Sequence, residues 1–170
     1  MVNEKVIVGV YGLTGCAGCQ LSILFNEDEI LDLISLIDLR AFPFIKEHNE
    51  DEKFDIVFME GLVASNNDLE VLEKVRKKTK ILVALGACAH TGCIPAYRNF
   101  TLKENYKHLL FEKDDIIKDT DPKPIDAHVI VDYVIPGCPP DKTEILTFIK
   151  DLLAGKTPVT YNNPVCVECR

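Results

Sequence analysis

The chain has 170 residues, 47% of them hydrophobic, with 27 Asp and Glu against 19 Lys and Arg for a net charge of −8 at pH 7. That length and apolar fraction fill one core of ordinary size, which excludes disordered and fibrous architectures. A pI near 5.0 without a basic block argues against nucleic-acid binding, and no window reaches the ~18 apolar residues of a membrane span. The amino-terminal MVNEKVIVGVYG lacks a positive segment ahead of a long apolar run, so a cytoplasmic protein is expected. Seven cysteines, an odd number, then point to metal or redox chemistry rather than a disulfide framework.

In chain order, KVIVGVY at 5–11 is short and rich in β-branched residues, as a buried parallel strand is. After the glycines at 12 and 15, Leu21, Leu24, Phe25, Ile30, Leu31, Ile34 and Ile37 recur at helical spacing, with a break expected near Asn26. IDLRAFPF suggests a second strand that Pro43 confines to an edge or end, and HNEDEK a charged connection. FDIVFME is another buried strand, ending in Glu60. Asn67 as N-cap with Glu70 opens a helix through LEVLEKVRKK, whose basic end suits the helix dipole. KILVALGAC repeats the pattern of a strand running into glycine, with the strand at 81–85, and 94–120 reads as an irregular or partly helical excursion. A strand at 129–135 then leads into PGCPP, and Asp141 with Glu144 caps a final helix stopped by Gly155. Alternating strands and helices without repeats or low-complexity linkers describe an α/β fold, a doubly wound parallel sheet covered on both faces.

Four cysteines occupy equivalent places in that pattern: Cys16 and Cys19 after the first strand, Cys88 after 81–85, and Cys138 after 129–135. Loops outside the carboxyl ends of parallel strands share one edge of the sheet, so the topology brings these thiols together, and Glu60 joins the same edge. Four thiolates suit zinc or an iron–sulfur centre. One C-x-x-C pair joined by two isolated cysteines leans toward iron and sulfur, and the glycines and prolines of GLTGCAGC, GACAHTGC and PGCPP allow backbone amides to approach a bulky anionic cluster. Against this stand a thioredoxin-like redox pair, which the absence of Trp disfavours, and single buried thiols acting as small hydrophobes. Glu60 has an even alternative as a helix cap or acceptor for loop amides, and His90 reads by default as a surface histidine. Neither G-x-x-x-x-G-K-[ST] nor G-x-G-x-x-G is present, so the glycine-rich first loop carries no nucleotide fingerprint.

Taken together, GCAGC at Cys16, MEG at 59–61, GACAHTG at Cys88 and PGCPP at Cys138 make the chain resemble the small, electron-transferring subunit of nickel–iron hydrogenases. It is similar, more distantly, to the 20-kDa iron–sulfur subunit of NADH:quinone oxidoreductase, which has adjacent cysteines where this chain has C-x-G-C. The resemblance implies a flavodoxin-like domain over 1–155 that holds one proximal 4Fe-4S cluster on Cys16, Cys19, Cys88 and Cys138. It also implies a nickel–iron centre in a partner large subunit, not in this chain, further electron-transfer subunits beside it, and Glu60 at the subunit boundary as a proton or hydrogen-bonding group. An apolar patch around the cysteine loops is expected to meet the partner. The departures are Cys93, where relatives have a second glycine, a tail over 156–170 with Cys166 and Cys169 in place of a second cluster domain, and no twin-arginine signal. Cys93 reads as a spare thiol, with an altered or redox-sensitive ligand set as the alternative that its place beside the cluster loop allows. No cluster is expected on Cys166 and Cys169. The alternatives for the whole chain are a subunit of a nickel-free quinone- or ferredoxin-linked complex and a metal-stabilised sensor or interaction module.

Overall fold

A computed structural model describes residues 5–50, 52–100 and 119–159. In chain order the elements are β1 (Val6–Gly12), α1 (Gly18–Leu24), α2 (Glu27–Leu36), β2 (Ile37–Ala41), β3 (Phe54–Glu60), β4 (Val63–Ser65), α3 (Asn66–Lys77), β5 (Thr79–Leu85), α4 (Gly86–Thr91), β6 (Asp119–Lys123), β7 (Tyr133–Ile135) and α5 (Lys142–Leu153), with 3-10 turns at Ile94–Phe100 and Ile125–Ala127. Five strands form one sheet in the order β2-β1-β3-β5-β7, all parallel, while β4 and β6 pair antiparallel beside it. With β4 and β6 set aside the order is that of a flavodoxin-like sheet, whose strand order reverses between β1 and β3. The expected α/β doubly wound architecture is therefore present.

Alternation along the strands builds a core on each face. Val8, Val10, Ile56, Phe58, Val83 and Leu85 pack with Ile23 of α1, Leu33 of α2, and Ile145, Phe148 and Ile149 of α5. Their neighbours Val57, Met59, Leu82 and Ala84 face the other way, onto Leu72 and Val75 of α3. Because both faces are covered, β3 reads as a nearly continuous apolar run, and each large aliphatic side chain it buries stabilises the fold by about 1.5–3 kcal/mol. Phe148 meets Phe58 and Tyr133 edge-on, at centroid distances of 6.2 and 5.5 Å.

The helix expected after the first loop does break at Asn26. Its side-chain amide donates to the carbonyls of Ser22 and Lys142, both at 3.2 Å, which ties the joint between α1 and α2 to the start of α5. Ile37, counted among the helical positions, is instead the buried first residue of β2, the edge strand that Pro43 follows.

Three local expectations are corrected. The N-cap of α3 is Ser65, not Asn67: its extended backbone presents the hydroxyl to the Asp68 N–H while the Asp68 carboxylate accepts from the Ser65 N–H, a reciprocal box that satisfies two end donors. The strand expected over 129–135 is confined to Tyr133–Ile135. Before it, the amides of His128 and Val129 turn back onto the Ile125 carbonyl, and the Asp132 side chain takes the Leu82 N–H at 2.8 Å, so a carboxylate stands where a neighbouring strand would offer a carbonyl. The excursion after residue 94 includes a 3-10 turn and ends in strand β6, with residues 101–118 outside the described set.

Candidate metal centre

The site forms where β1, β3, β5 and β7 end. β1 stops at Gly12, and the chain crosses the end of β3 so closely that Leu13 N donates to the Glu60 carbonyl and Leu62 N to the Thr14 carbonyl, both at 2.9 Å. Gly61, at φ +84, makes this crossing possible, since a Cβ there would lie 2.8 Å from the Thr14 carbonyl oxygen. Ala17 then turns left-handed at φ 62 and opens α1, which places Cys16 exposed in the loop and Cys19 in the first turn at 6% exposure.

Glu60, the last residue of β3, is 2% exposed. Its carboxylate accepts the backbone N–H of Cys19 at 3.3 Å and of Gln20 at 3.2 Å. Ala17 offers α1 no side-chain cap, so a carboxylate from a strand 40 residues distant in sequence meets its first free donors. This is the acceptor role that stood open in the sequence beside a protonic one.

Cys88 sits one turn into α4, which starts directly from β5 at Gly86. Gly86 has φ +85, and a Cβ there would come within 2.3 Å of the Cys19 sulfur, so only glycine leaves room for that thiol. The Ala87 N–H donates to the Gly137 carbonyl at 2.7 Å, which fastens the Cys88 loop to the one carrying Cys138. Gly137, at φ +127, and a cis Cys138–Pro139 peptide then hold Cys138 exposed beyond β7.

The four sequence-derived thiols are therefore neighbours. Burial raises the Cys19 thiol well above its usual range, helped by the charges of Glu60, Cys88 and Cys16. Burial first, then Cys93, Cys138 and Cys16, pushes Cys88 up to about 12, and burial followed by Cys93 and Cys16 raises Cys138. Thiols crowded in this way are poor nucleophiles but a good donor set for a cation or cationic cluster that displaces their protons. Among the described residues no three His, Cys, Asp or Glu side chains converge as ligands of one ion would. Zinc needs all four thiolates on one atom, whereas a four-iron cluster takes one at each of four irons.

His90 lies outside this group, partly exposed with Nδ1 3.6 Å from Asp126. Cys166 and Cys169 lie outside the described residues. Thr14 and Asp68 were not visible as site residues in the chain: the Thr14 hydroxyl donates to Asp68 Oδ2 at 2.9 Å, and the same oxygen accepts from the N–H groups of Ala64 and Ser65 and from the Ser65 hydroxyl. One buried carboxylate thereby anchors the first cysteine loop to the start of α3. Its only sequence signal is the Ser-x-x-Asp spacing, which says nothing of Thr14.

Beside the cysteines, the 3-10 turn after Cys93 exposes Ile94, Tyr97 and Phe100 to 69%, 68% and 86%. That is a concentrated apolar surface following Cys93, of the kind a protein partner covers.

Residues 16–152 match the family model described as the 20-kDa subunit of NADH ubiquinone oxidoreductase. The chain is 37% identical over 163 residues to sulfhydrogenase 2 subunit delta of Pyrococcus furiosus, covering 96% of this chain and 68% of that protein. It is 33% identical over 182 residues to a subunit of the F420-non-reducing hydrogenase of Methanocaldococcus jannaschii, covering 99% of this chain and 63% of that one. The chain thus spans about two thirds of the length of these relatives. A chain in the crystal structure of an NAD+-reducing [NiFe]-hydrogenase in the H2-reduced state superposes with a TM-score of 0.82 at 32% identity, covering 94% of this chain and 97% of that one. With the sheet order, the cysteine loops and the sequence in agreement, the chain belongs to the NADH ubiquinone oxidoreductase 20-kDa subunit family, among relatives that are hydrogenase subunits.

Proposed function

We propose that the chain is the electron-transfer subunit of a nickel–iron hydrogenase, holding one 4Fe-4S cluster on Cys16, Cys19, Cys88 and Cys138. The observation that carries this reading is the meeting of four thiols from three loops at the switch point of a flavodoxin-like sheet, in a chain whose relatives are hydrogenase subunits. The donor set fits: four thiolates match a cubane cluster, and glycine at 86 leaves room for the Cys19 sulfur. When bound, the cluster supplies one-electron transfer to and from the nickel–iron site of a separate large subunit.

The chain's own residues do the rest. Glu60 is a positioning residue, holding the first turn of α1 and so Cys19. The Ala87–Gly137 bond sets the distance between the Cys88 and Cys138 loops. Exposed Cys16 and Cys138 keep the centre close to the surface, where electrons pass to a partner, and Ile94, Tyr97 and Phe100 offer that partner an apolar seat. No helix among the described residues is long and apolar enough to cross a membrane. A cytoplasmic setting suits five described cysteines that are all free.

Anaerobic purification with and without the co-expressed large subunit tests the reading through iron, sulfide, zinc and nickel content. About four irons and four sulfides per chain, with nickel only in the partnered sample, is the expected result. Zinc without sulfide refutes it in favour of a structural module. A full cluster in a nickel-free complex moves the chain to the quinone- or ferredoxin-linked class.

A further inference from the structure

The amino end of the sheet is charged differently from the rest of the chain. There, where β1, β3 and β5 begin, an open groove of about 1160 Å³ runs along the edge strand β2. Five cations reach it from separate segments: Lys5 ahead of β1, Arg40 on β2, Lys46 in the loop after it, Lys53 ahead of β3 and Lys80 on β5. Its carboxylates are Asp38 and Asp55, so the groove holds three positive charges in excess while the whole chain stands at −8.

Both carboxylates are already engaged. Asp38 takes Arg40 Nε at 2.9 Å, and Asp55 takes Lys80 Nζ at 2.7 Å and the Ile7 N–H at 2.8 Å. Arg40 also reaches Glu50 at 3.7 Å. Lys5 and Lys53 are exposed and make no ion pair among the described residues. Lys46 is fixed in place, its Nζ donating to the carbonyls of Leu39 and Arg40 at 2.6 and 3.0 Å, and those neutral acceptors leave its charge without a counter-ion among the described residues. The floor between the cations is apolar, formed by Val6, Ile34, Ile37 and Leu39, with Ile34 39% exposed. No glycine-rich turn lines the groove to cradle a phosphate, and its cations come from separate segments around a long apolar floor.

We infer that this groove docks an acidic, partly apolar segment of a partner polypeptide. Carboxylates of that segment meet Lys5, Lys46 and Lys53, its apolar side chains cover the floor, and the acidic remainder of this chain repels it from other docking positions. The seven residues of β1, at about 3.3 Å each, set the groove about 20 Å from the cysteine loops. A subunit held there is anchored without touching the centre, so the inference goes beyond the proposed function and holds with or without iron.

The test uses the complex purified with the full-length chain. A carbodiimide, which joins an amine to a carboxylate in contact with it, is applied and the linked peptides are mapped by mass spectrometry. The expected result is Lys5, Lys46 or Lys53 joined to Asp or Glu of one segment in another polypeptide. That segment, made as a synthetic peptide, is then titrated against full-length wild type and the double variant Lys5→Glu/Lys53→Glu. Kd should rise about tenfold in the variant, and binding to wild type should weaken with added salt. Both substitutions are at exposed positions, so Tm and iron content matching wild type show that the variant is folded. The inference is overturned if the groove lysines link only within this chain or not at all, if they link to a second copy of it, or if the peptide binds wild type and variant equally. Binding of inorganic pyrophosphate to wild type but not to the variant, without a linked partner segment, overturns it in favour of a small-anion site. Absence of iron and sulfide from wild type refutes the proposed function and leaves this inference standing.

Discussion

Replacing Glu60 by Gln is the sharpest probe of how the first cysteine loop is held. The carboxylate accepts two backbone N–H groups, from Cys19 and Gln20, at 3.3 and 3.2 Å in a site 2% exposed. Glutamine keeps one acceptor oxygen and turns an NH2 group toward the other donor. Exchanging a charge-assisted bond for a neutral one costs about 1 kcal/mol, and a buried N–H without an acceptor costs about 1–3 kcal/mol, so the loss is about 2–4 kcal/mol. For a domain of this size that lowers Tm by about 5–15 °C. Thermal unfolding of the full-length chain by circular dichroism reads it directly, and the iron content of the same preparations reports whether Cys19 is still in place. A Tm within about 2 °C of wild type would refute the reasoning, because a buried carboxylate serving two donors must cost more than that when neutralised.

Gly86→Ala puts a Cβ 2.3 Å from the Cys19 sulfur at φ +85, so iron incorporation should fall several-fold while Gly155→Ala, where a Cβ meets nothing within 4 Å, leaves it unchanged. Asp68→Ala removes an acceptor shared by Thr14, Ala64 and Ser65 and should cost about 1–3 kcal/mol in chemical denaturation. Burial works to raise the Asp55 carboxyl, but the hydrogen bonds from Lys80 and the Ile7 N–H and the charges of Lys80 and Arg40 outweigh it and hold it below its ordinary value. Its contribution is therefore present above about pH 4, the unfolded value, and lost as pH falls through the lower native one, so Asp55→Asn should flatten acid unfolding there. In cluster-free protein the raised Cys19 and Cys88 thiols have the opposite sign: above about pH 8.5 the unfolded chain sheds protons that the native thiols keep, so stability should fall with rising pH, and less steeply in Cys19→Ser.

Much of this is legible in the chain itself. FDIVFME reads as a short buried strand, Asn26 marks the break between two helices, and the final helix starts at Asp141, whose carboxylate accepts from Thr143 N and Glu144 N. The placing of Cys16, Cys19, Cys88 and Cys138 at strand ends follows from the same periodicity, because parallel strands deliver their outgoing loops to one edge. These are properties of short windows, where the spacing of apolar side chains and the chemistry of caps decide the outcome.

What the tertiary structure alone decided depends on groups distant in sequence meeting at atomic range. Asp132 shortens β7 only because its carboxylate reaches the Leu82 N–H, and β6 exists only because β4 is there to pair with it. Glu60 serves α1 across 40 residues, and Thr14 reaches Asp68 across 54. The loop after α4 reads as an ordinary connection five residues past Cys88 until two left-handed residues, Gly92 and Cys93, reverse the chain there. Backbone reversals and side-chain hydrogen bonds of this kind leave no period in the sequence, since one residue in the wrong half of φ space redirects everything beyond it.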